Sequence, residues 1–327
     1  VPKTTRTVPS GSREFERIAW LSQLFAKQPR PASVMLGIGD DAAIVKTGRN
    51  HWVWTVDACV QGVHFDWRWL SPIEVGWRSF HAAVSDVAAM GASPLAALCS
   101  LALPKDVQGK VFRGIAQGQA RAARSLGCAI IGGNLTRASE VSVHTTVLGA
   151  TTRPICRAGA RIADEIWVFG NLGAAAAGLI VAQRKTLEQQ TLAERWCARQ
   201  WRRPTALIRA GRSLRKAAHA AIDVSDGLVA DLGHVADASC LRAVIDAEAL
   251  DQALDTRLHK AARALDRTAL EFALFGGEDY ALIAAGPARR RPDGARAIGQ
   301  FEKGSGVWLQ TATGRQRLSP AGFDHFR

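Results

Sequence analysis

The sequence predicts a two-domain α/β protein, and three observations carry that expectation. At 327 residues the chain exceeds what one hydrophobic core usually organises. Strand-like and helix-like patterns alternate along it, with a change of character near residue 151. Acidic residues recur beside glycines where those elements end, around residues 37–41, 223–227 and 276–279. The expected organisation is a flexible arm over residues 1–12, a first domain over 13–150 and a second over 151–327.

Residues 1–12 are rich in Pro, Thr, Ser and Gly, the composition of an arm. From Glu14 the apolar residues fall at helical spacing, and the helix is expected to end before Pro29. Strands are expected over 42–46 and 51–56, joined by the turn Thr47-Gly48-Arg49-Asn50. Ser71-Pro72-Ile73-Glu74 then gives an N-cap, an N1 proline and an acidic first turn. That helix should run to Met90 and stop at Gly91, carrying Ser85 and Asp86 among alanines and valines. An Asp in so apolar a helix needs a partner.

A strand over 95–103, a helix over 107–126 and a strand from Cys128 follow. Gly132-Gly133 reads as a turn into polar residues, where backbone N–H groups approach a phosphate. Residues 141–150 alternate as a strand and close the first domain. Beyond the boundary, 166–170 is a strand entering a small-residue helix through Asn171-Leu172-Gly173, without the full GxGxxG of dinucleotide binding. A helix over 207–220 leads to Asp223-Val224-Ser225-Asp226-Gly227-Leu228. Finally, Gly276-Gly277-Glu278-Asp279-Tyr280 places two acids between glycines and a strand.

Composition narrows the classes further. Hydrophobic residues at 47% and charged residues at 22% are ordinary for a soluble protein. The net charge of +13 raises nucleic acid as a partner, but the arginines are scattered rather than clustered with aromatics, so solvated charge is the preferred reading. Six cysteines without a CxxC pair read as reduced thiols and imply a reducing cytoplasm. No secretory signal is expected from the polar, basic start, and the longest apolar run, 173–182, is about half of a membrane span.

The chemistry lies in the acids. Asp40 and Asp41 are adjacent like charges, which need protonation or a cation, and Mg²⁺ is the simplest compensation. Thr55, Asp57 and His64 follow at the end of the next strand-like run. Four separated acidic motifs, if they converge, make a multi-metal site suited to a polyphosphate. The Walker A loop, protein-kinase signatures, nucleophile elbow and HExxH are all absent.

Taken together, Gly37-Ile38-Gly39-Asp40-Asp41-Ala42-Ala43, Asp57 with Gly62-Val63-His64-Phe65, Ser85-Asp86-Val87-Ala88-Ala89-Met90-Gly91-Ala92, Gly132-Gly133, Asp223-Val224-Ser225-Asp226-Gly227-Leu228 and Gly276-Gly277-Glu278-Asp279-Tyr280 resemble the thiamine-monophosphate kinase family. The match extends over nearly the whole chain after residue 13. The resemblance implies the two-domain aminoimidazole ribonucleotide synthetase-like fold, with a first domain that forms a dimeric β-barrel with a second copy and an α/β second domain. It implies transfer of a phosphoryl group from ATP to thiamine monophosphate with Mg²⁺, giving thiamine diphosphate.

By the same resemblance Asp41, Thr55, Asp57, Asp86, Asp223 and Asp226 match metal positions. Gly133, Asn134, Arg157 and Ser225 match nucleotide contacts, and His64 and Glu278 lie near the thiamine phosphate. Asp40 is expected in a supporting role. Asn134 stands where the family has a metal-binding Asp, its amide oxygen still able to ligate without charge. Ala83, Ala206-Leu207 and Pro320 also depart from the family pattern. These departures leave an alternative open: a relative that binds ATP or a thiamine phosphate with little turnover, or acts on another substrate.

Overall fold

The structure, a computed structural model, describes residues 14–26, 28–29 and 31–319; the expected arm and Pro320 lie outside them. Among the described residues it is a mixed α/β fold of two sheets.

The first half holds α1 (Glu14–Phe25), β1 (Val34–Leu36), β2 (Ala43–Thr47), β3 (Asn50–Val60), α2 (Pro72–Ala89), β4 (Ser93–Leu103), α3 (Gly109–Leu126), β5 (Ala129–Arg137) and β6 (Ser142–Thr151). Its strands form one sheet in the order β1-β2-β3-β6-β4-β5, antiparallel except for β4 with β5. Side chains alternate across β3, so Val53 and Thr55 are buried while Trp52, Trp54 and Val56 are exposed on the other face. The same alternation places Asp57 on the Thr55 side. α2 packs over β3 and β6.

The start of α2 is fixed by a reciprocal cap: the Ser71 N–H donates to Glu74 (2.9 Å), and the Glu74 N–H donates to Ser71 Oγ (3.4 Å). α3 crosses α2 at glycines, since a Cβ on Gly76 would strike the Ile115 carbonyl. This close crossing holds α2, and Asp86 on it, against the sheet.

Gly132-Gly133 does not turn, in contrast to the sequence expectation; β5 continues through it. The glycines serve close approach instead, because a side chain at Gly133 would strike the Cys99 carbonyl of β4. The register shifts at this point, with Ala97 opposite Ile130 and Leu98 opposite Gly132, so Ile131 bulges out and is 69% exposed.

The second half holds β7 (Glu165–Phe169), α4 (Ala174–Arg184), α5 (Leu192–Arg202), α6 (Ile208–Leu214), β8 (Ala220–Asp223), α7 (Leu228–Ala238), β9 (Arg242–Asp246), α8 (Ala247–Ala253), α9 (Thr256–Arg263), α10 (Ala269–Phe275), β10 (Leu282–Gly286), β11 (Arg296–Glu302), β12 (Gly306–Thr311) and β13 (Gly314–Leu318). The sheet runs β13-β12-β9-β11-β7-β10-β8, with only β9 and β12 parallel. Its core joins Ile166, Val168, Ile222, Leu228, Leu232, Ile283 and Phe301. α6 is shorter than the expected 207–220 helix, because the chain turns after Leu214 and the His219 N–H joins the Ala285 carbonyl to start β8.

Arg121, Arg124 and Arg289–Arg291 are exposed, as solvated faces. No cysteine is disulfide-bonded; Cys59, Cys128 and Cys197 are buried and Cys240 is exposed. Among the described residues no helix is long and apolar enough to cross a membrane.

Candidate active site

A cleft of about 730 Å³ opens between the two halves, within the range that accommodates a small organic ligand. Asp57 of β3, Asp86 of α2, Asp223 of β8, Ser225 and Asp226 of the following loop, and Glu278 all line it, as does His64. These seven residues, dispersed over more than 200 positions of sequence, are brought together by the packing of α2 against both β3 and β8.

The acids sit close enough to perturb one another. Asp41 is pushed up to about 8, first by burial and then by Asp223 and Asp40, against the opposing pull of Arg157. Asp86 is pushed well above the carboxylate range by burial and by Asp223, Asp41 and Asp57. Asp223 is raised by burial, with Ser85 and Arg157 acting the other way. Thr55 Oγ1 donates to Asp86 Oδ2 at 2.5 Å, tying β3 to α2 at the centre of the cluster.

Asp40 supports Asp41 rather than facing the cluster alone. Its Oδ1 accepts the Asp41 N–H (2.9 Å) and its Oδ2 the Arg157 N–H (3.0 Å). Arg157 in turn binds Asp41 Oδ1 through Nε at 2.7 Å and Nη2 at 2.5 Å. Asp41 Oδ2, also buried, has no hydrogen-bond partner. Among the described residues no three His, Cys, Asp or Glu side chains are arranged to enclose a metal ion. The donor set nevertheless fits hard cations: clustered carboxylates, a hydroxyl and an orphaned buried oxygen are what Mg²⁺ prefers.

Two sequence candidates stand apart. Gly133 lies in the same row of the sheet as Asp57, through Thr145 and Cys99, and thus three strand spacings away, roughly 14 Å along the sheet. Neither it nor Asn134 lines the cleft, and both are exposed on β5.

Three residues that shape the site were missed from sequence. Asp231 on α7 accepts the N–H groups of Ser225, Asp226 and Gly227 on one oxygen, at 3.0, 3.1 and 3.0 Å. Burial, Asp226 and Asp223 hold its carboxyl well above the usual range. A carboxylate five residues after Asp226, in an otherwise apolar helical turn, was the available signal. Arg78 and Trp201 line the cleft and hold Glu278; Arg78 was visible only as a cation inside an apolar helix. Asp279, the second acid of its motif, faces away and caps α4 through the Gly173 and Ala175 N–H groups (2.5 and 2.9 Å). Burial raises it to about 7.

An α/β sheet carrying glycine-flanked acids, joined to a second sheet across an acidic cleft, defines a class. Residues 39–151 match the family model described as AIR synthase related protein, N-terminal domain. The chain is 35% identical over 293 residues to the thiamine-monophosphate kinase of Aquifex aeolicus, covering 88% of this chain and 92% of that protein, and so belongs to the thiamine-monophosphate kinase family. The thiamine-monophosphate kinase of Mycobacterium tuberculosis is 33% identical, with coverage of 89% and 86%. Among solved structures, AaThiL complexed with AMPPCP and TMP superposes with a TM-score of 0.89 at 32% identity, over 98% of this chain and all of that one.

Proposed function

We propose that the protein transfers the γ-phosphoryl group of ATP directly to the phosphate of thiamine monophosphate, forming thiamine diphosphate and ADP. The observation that carries this reading is the agreement, over 98% of the chain, with a structure solved with AMPPCP, an ATP analogue, and TMP. The acidic cleft supports it independently. These two observations favour turnover over the alternative of a relative that binds without reacting.

Chemically, little covalent assistance is needed. The attacking oxygen of a phosphate monoester is already anionic near neutral pH, so no general base is required and positioning with charge neutralisation carries the rate. Asp41, Thr55, Asp57, Asp86, Asp223 and Asp226 would hold Mg²⁺, and the Asn134 amide, on the edge strand β5 outside this cleft, would join such a set only across the contact with a second copy of the chain. When bound, Mg²⁺ neutralises phosphate charge and holds the reacting oxygens in line. Ser225 and Arg157 are assigned to the nucleotide, and Gly133 and Asn134, which stand apart from this cleft on β5, to nucleotide contacts made with the second copy. His64 and Glu278 are assigned to the acceptor; the His64 ring is oriented by the Val60 N–H, which donates to Nδ1 at 3.1 Å.

The assembly we propose is a homodimer in which the first sheets of two copies close a barrel. Trp52, Trp54, Val56, Leu98 and Ile131 support it as exposed apolar residues on strands of that sheet, more than a solitary sheet face usually leaves in water. In this reading residues 13–150 are the nucleotide-binding and dimerisation domain, 151–327 the second domain, and the cytoplasm the working compartment. Chromatographic detection of thiamine diphosphate after incubation with ATP, Mg²⁺ and thiamine monophosphate tests the reaction; its absence at saturating substrate would reject it.

A further inference from the structure

Both carboxylate oxygens of Glu278 are held before any ligand arrives. Arg78 Nη2 binds Oε1 at 2.5 Å, and the Trp201 indole Nε1–H donates to Oε2 at 2.9 Å. The triangle closes on itself, because Arg78 Nη1 donates to the Trp201 carbonyl and its guanidinium lies 5.2 Å from the indole centroid. Arg78 is on α2, Trp201 on α5 and Glu278 on the segment after α10, so the triangle joins three elements 123 and 200 residues apart. The side chain of Arg78 is 3% exposed and that of Glu278 31%, so the acid faces the cleft while the cation stands behind it.

The backbone shows that Glu278 needs such restraint. Its φ is +63°, a left-handed conformation that a residue with a side chain adopts at a cost. Its own N–H is tied to the Ser225 carbonyl at 2.7 Å, so the strain of Glu278 and the position of the Ser225-Asp226 loop are linked. The titratable groups facing Glu278 are Arg78 on α2, Cys59 on β3, and Asp279 and Tyr280 on its own segment, the Cys59 thiol and Tyr280 phenol being kept uncharged near neutral pH by burial. Of these, Arg78 alone is a cation. A guanidinium can bind the carboxylate, the Trp201 carbonyl and the indole face together because its donors are fixed in a planar fork; an ammonium cannot.

We propose that Arg78 is a positioning residue for the acceptor: with Trp201 it fixes Glu278 in one orientation and offsets its charge, so that Glu278 presents a fixed hydrogen-bond acceptor to the amino-bearing ring of the substrate. This rests on the assignment of Glu278 to the thiamine monophosphate side of the cleft. The triangle also makes α2, which carries Asp86, and the wall that holds the acceptor a single mechanical unit. Its one link to the nucleotide side is the backbone hydrogen bond from the Glu278 N–H to the Ser225 carbonyl, which a side-chain change at Arg78 leaves in place, so loss of the triangle should affect the acceptor more than ATP.

The test compares Arg78→Lys, which keeps the charge, and Arg78→Met, which removes it, with the unaltered protein. In Arg78→Lys we expect KM for thiamine monophosphate to rise about tenfold, with KM for ATP and kcat within about twofold. The Trp201 indole proton, assigned by its absence in Trp201→Phe, should shift upfield and exchange with solvent at least about tenfold faster. Arg78→Met should show both effects more strongly; if it does not fold, Arg78→Lys decides. An unchanged KM for thiamine monophosphate, or equal rises in both KM values, would overturn the proposal. Should the unaltered protein fail to turn over thiamine monophosphate, the function falls but this inference is still decided by the indole: faster exchange in Arg78→Lys upholds the hold on Glu278, and unchanged exchange overturns it.

Discussion

Proton and cation should compete for Asp41, and the competition has a calculable size. Asp41 is raised from 3.8 to about 8, chiefly by burial. A carboxyl whose folded pKa exceeds its unfolded value binds its proton more tightly in the folded state. Without a cation its stabilising contribution is therefore complete below about pH 4 and is lost as pH rises towards about 8. Magnesium binding runs the other way, because it requires the carboxylate. With a pKa of about 8 the carboxylate fraction grows from about 1% at pH 6 to about half at pH 8, so Mg²⁺ should bind about fifty-fold more tightly at the higher pH, about 2 kcal/mol. Asp86 and Asp223 are raised as well and add in the same direction. Titration calorimetry with Mg²⁺ alone at the two pH values measures this directly. A Kd that changes less than about threefold, or that tightens at the lower pH, would refute the reasoning that the buried acids bind the cation.

Further expectations follow from the same geometry. Asp57→Asn should lower kcat at least about a hundredfold while circular dichroism and thermal midpoint stay unchanged; undiminished turnover would remove Asp57 from the site. Asn134→Asp should lower the Mg²⁺ concentration that gives half-maximal rate, and an unchanged requirement would mean the position is not a ligand. Asp231→Ala leaves three N–H groups of the Ser225-Asp226-Gly227 loop without their acceptor, so urea unfolding should show a loss of about 2 kcal/mol, and no loss would show the loop to be held otherwise. Ile131→Glu places a charge on the exposed β5 bulge; sedimentation equilibrium should find a dimer for the unaltered chain and a monomer for the variant, and a monomeric unaltered chain would reject the assembly.

Where local rules decide structure, the sequence was readable. Ser71-Pro72-Ile73-Glu74 announced the start of α2 because cap, proline and acid act within one turn, and the helix is found over Pro72–Ala89. Gly132-Gly133 misled because a glycine pair signals either a turn or a close approach, and only the partner strand, through the Cys99 carbonyl, determines which. The acids of the site were visible as glycine-flanked pairs. Their supports were not: that Arg78 meets Glu278, or that Asp231 folds back on Ser225, depends on packing across 200 residues in one case and on the path of one loop in the other. The distance of Asn134 from the cleft was equally hidden, since it follows from strand order β3-β6-β4-β5 rather than from spacing along the chain.

The most direct test of the account is simultaneous measurement of ADP and thiamine diphosphate from ATP and thiamine monophosphate across a Mg²⁺ titration. The account predicts the two products in equal amounts, dependent on Mg²⁺ and on thiamine monophosphate. ATP binding without either product at high Mg²⁺, or ADP released without thiamine diphosphate, would contradict it.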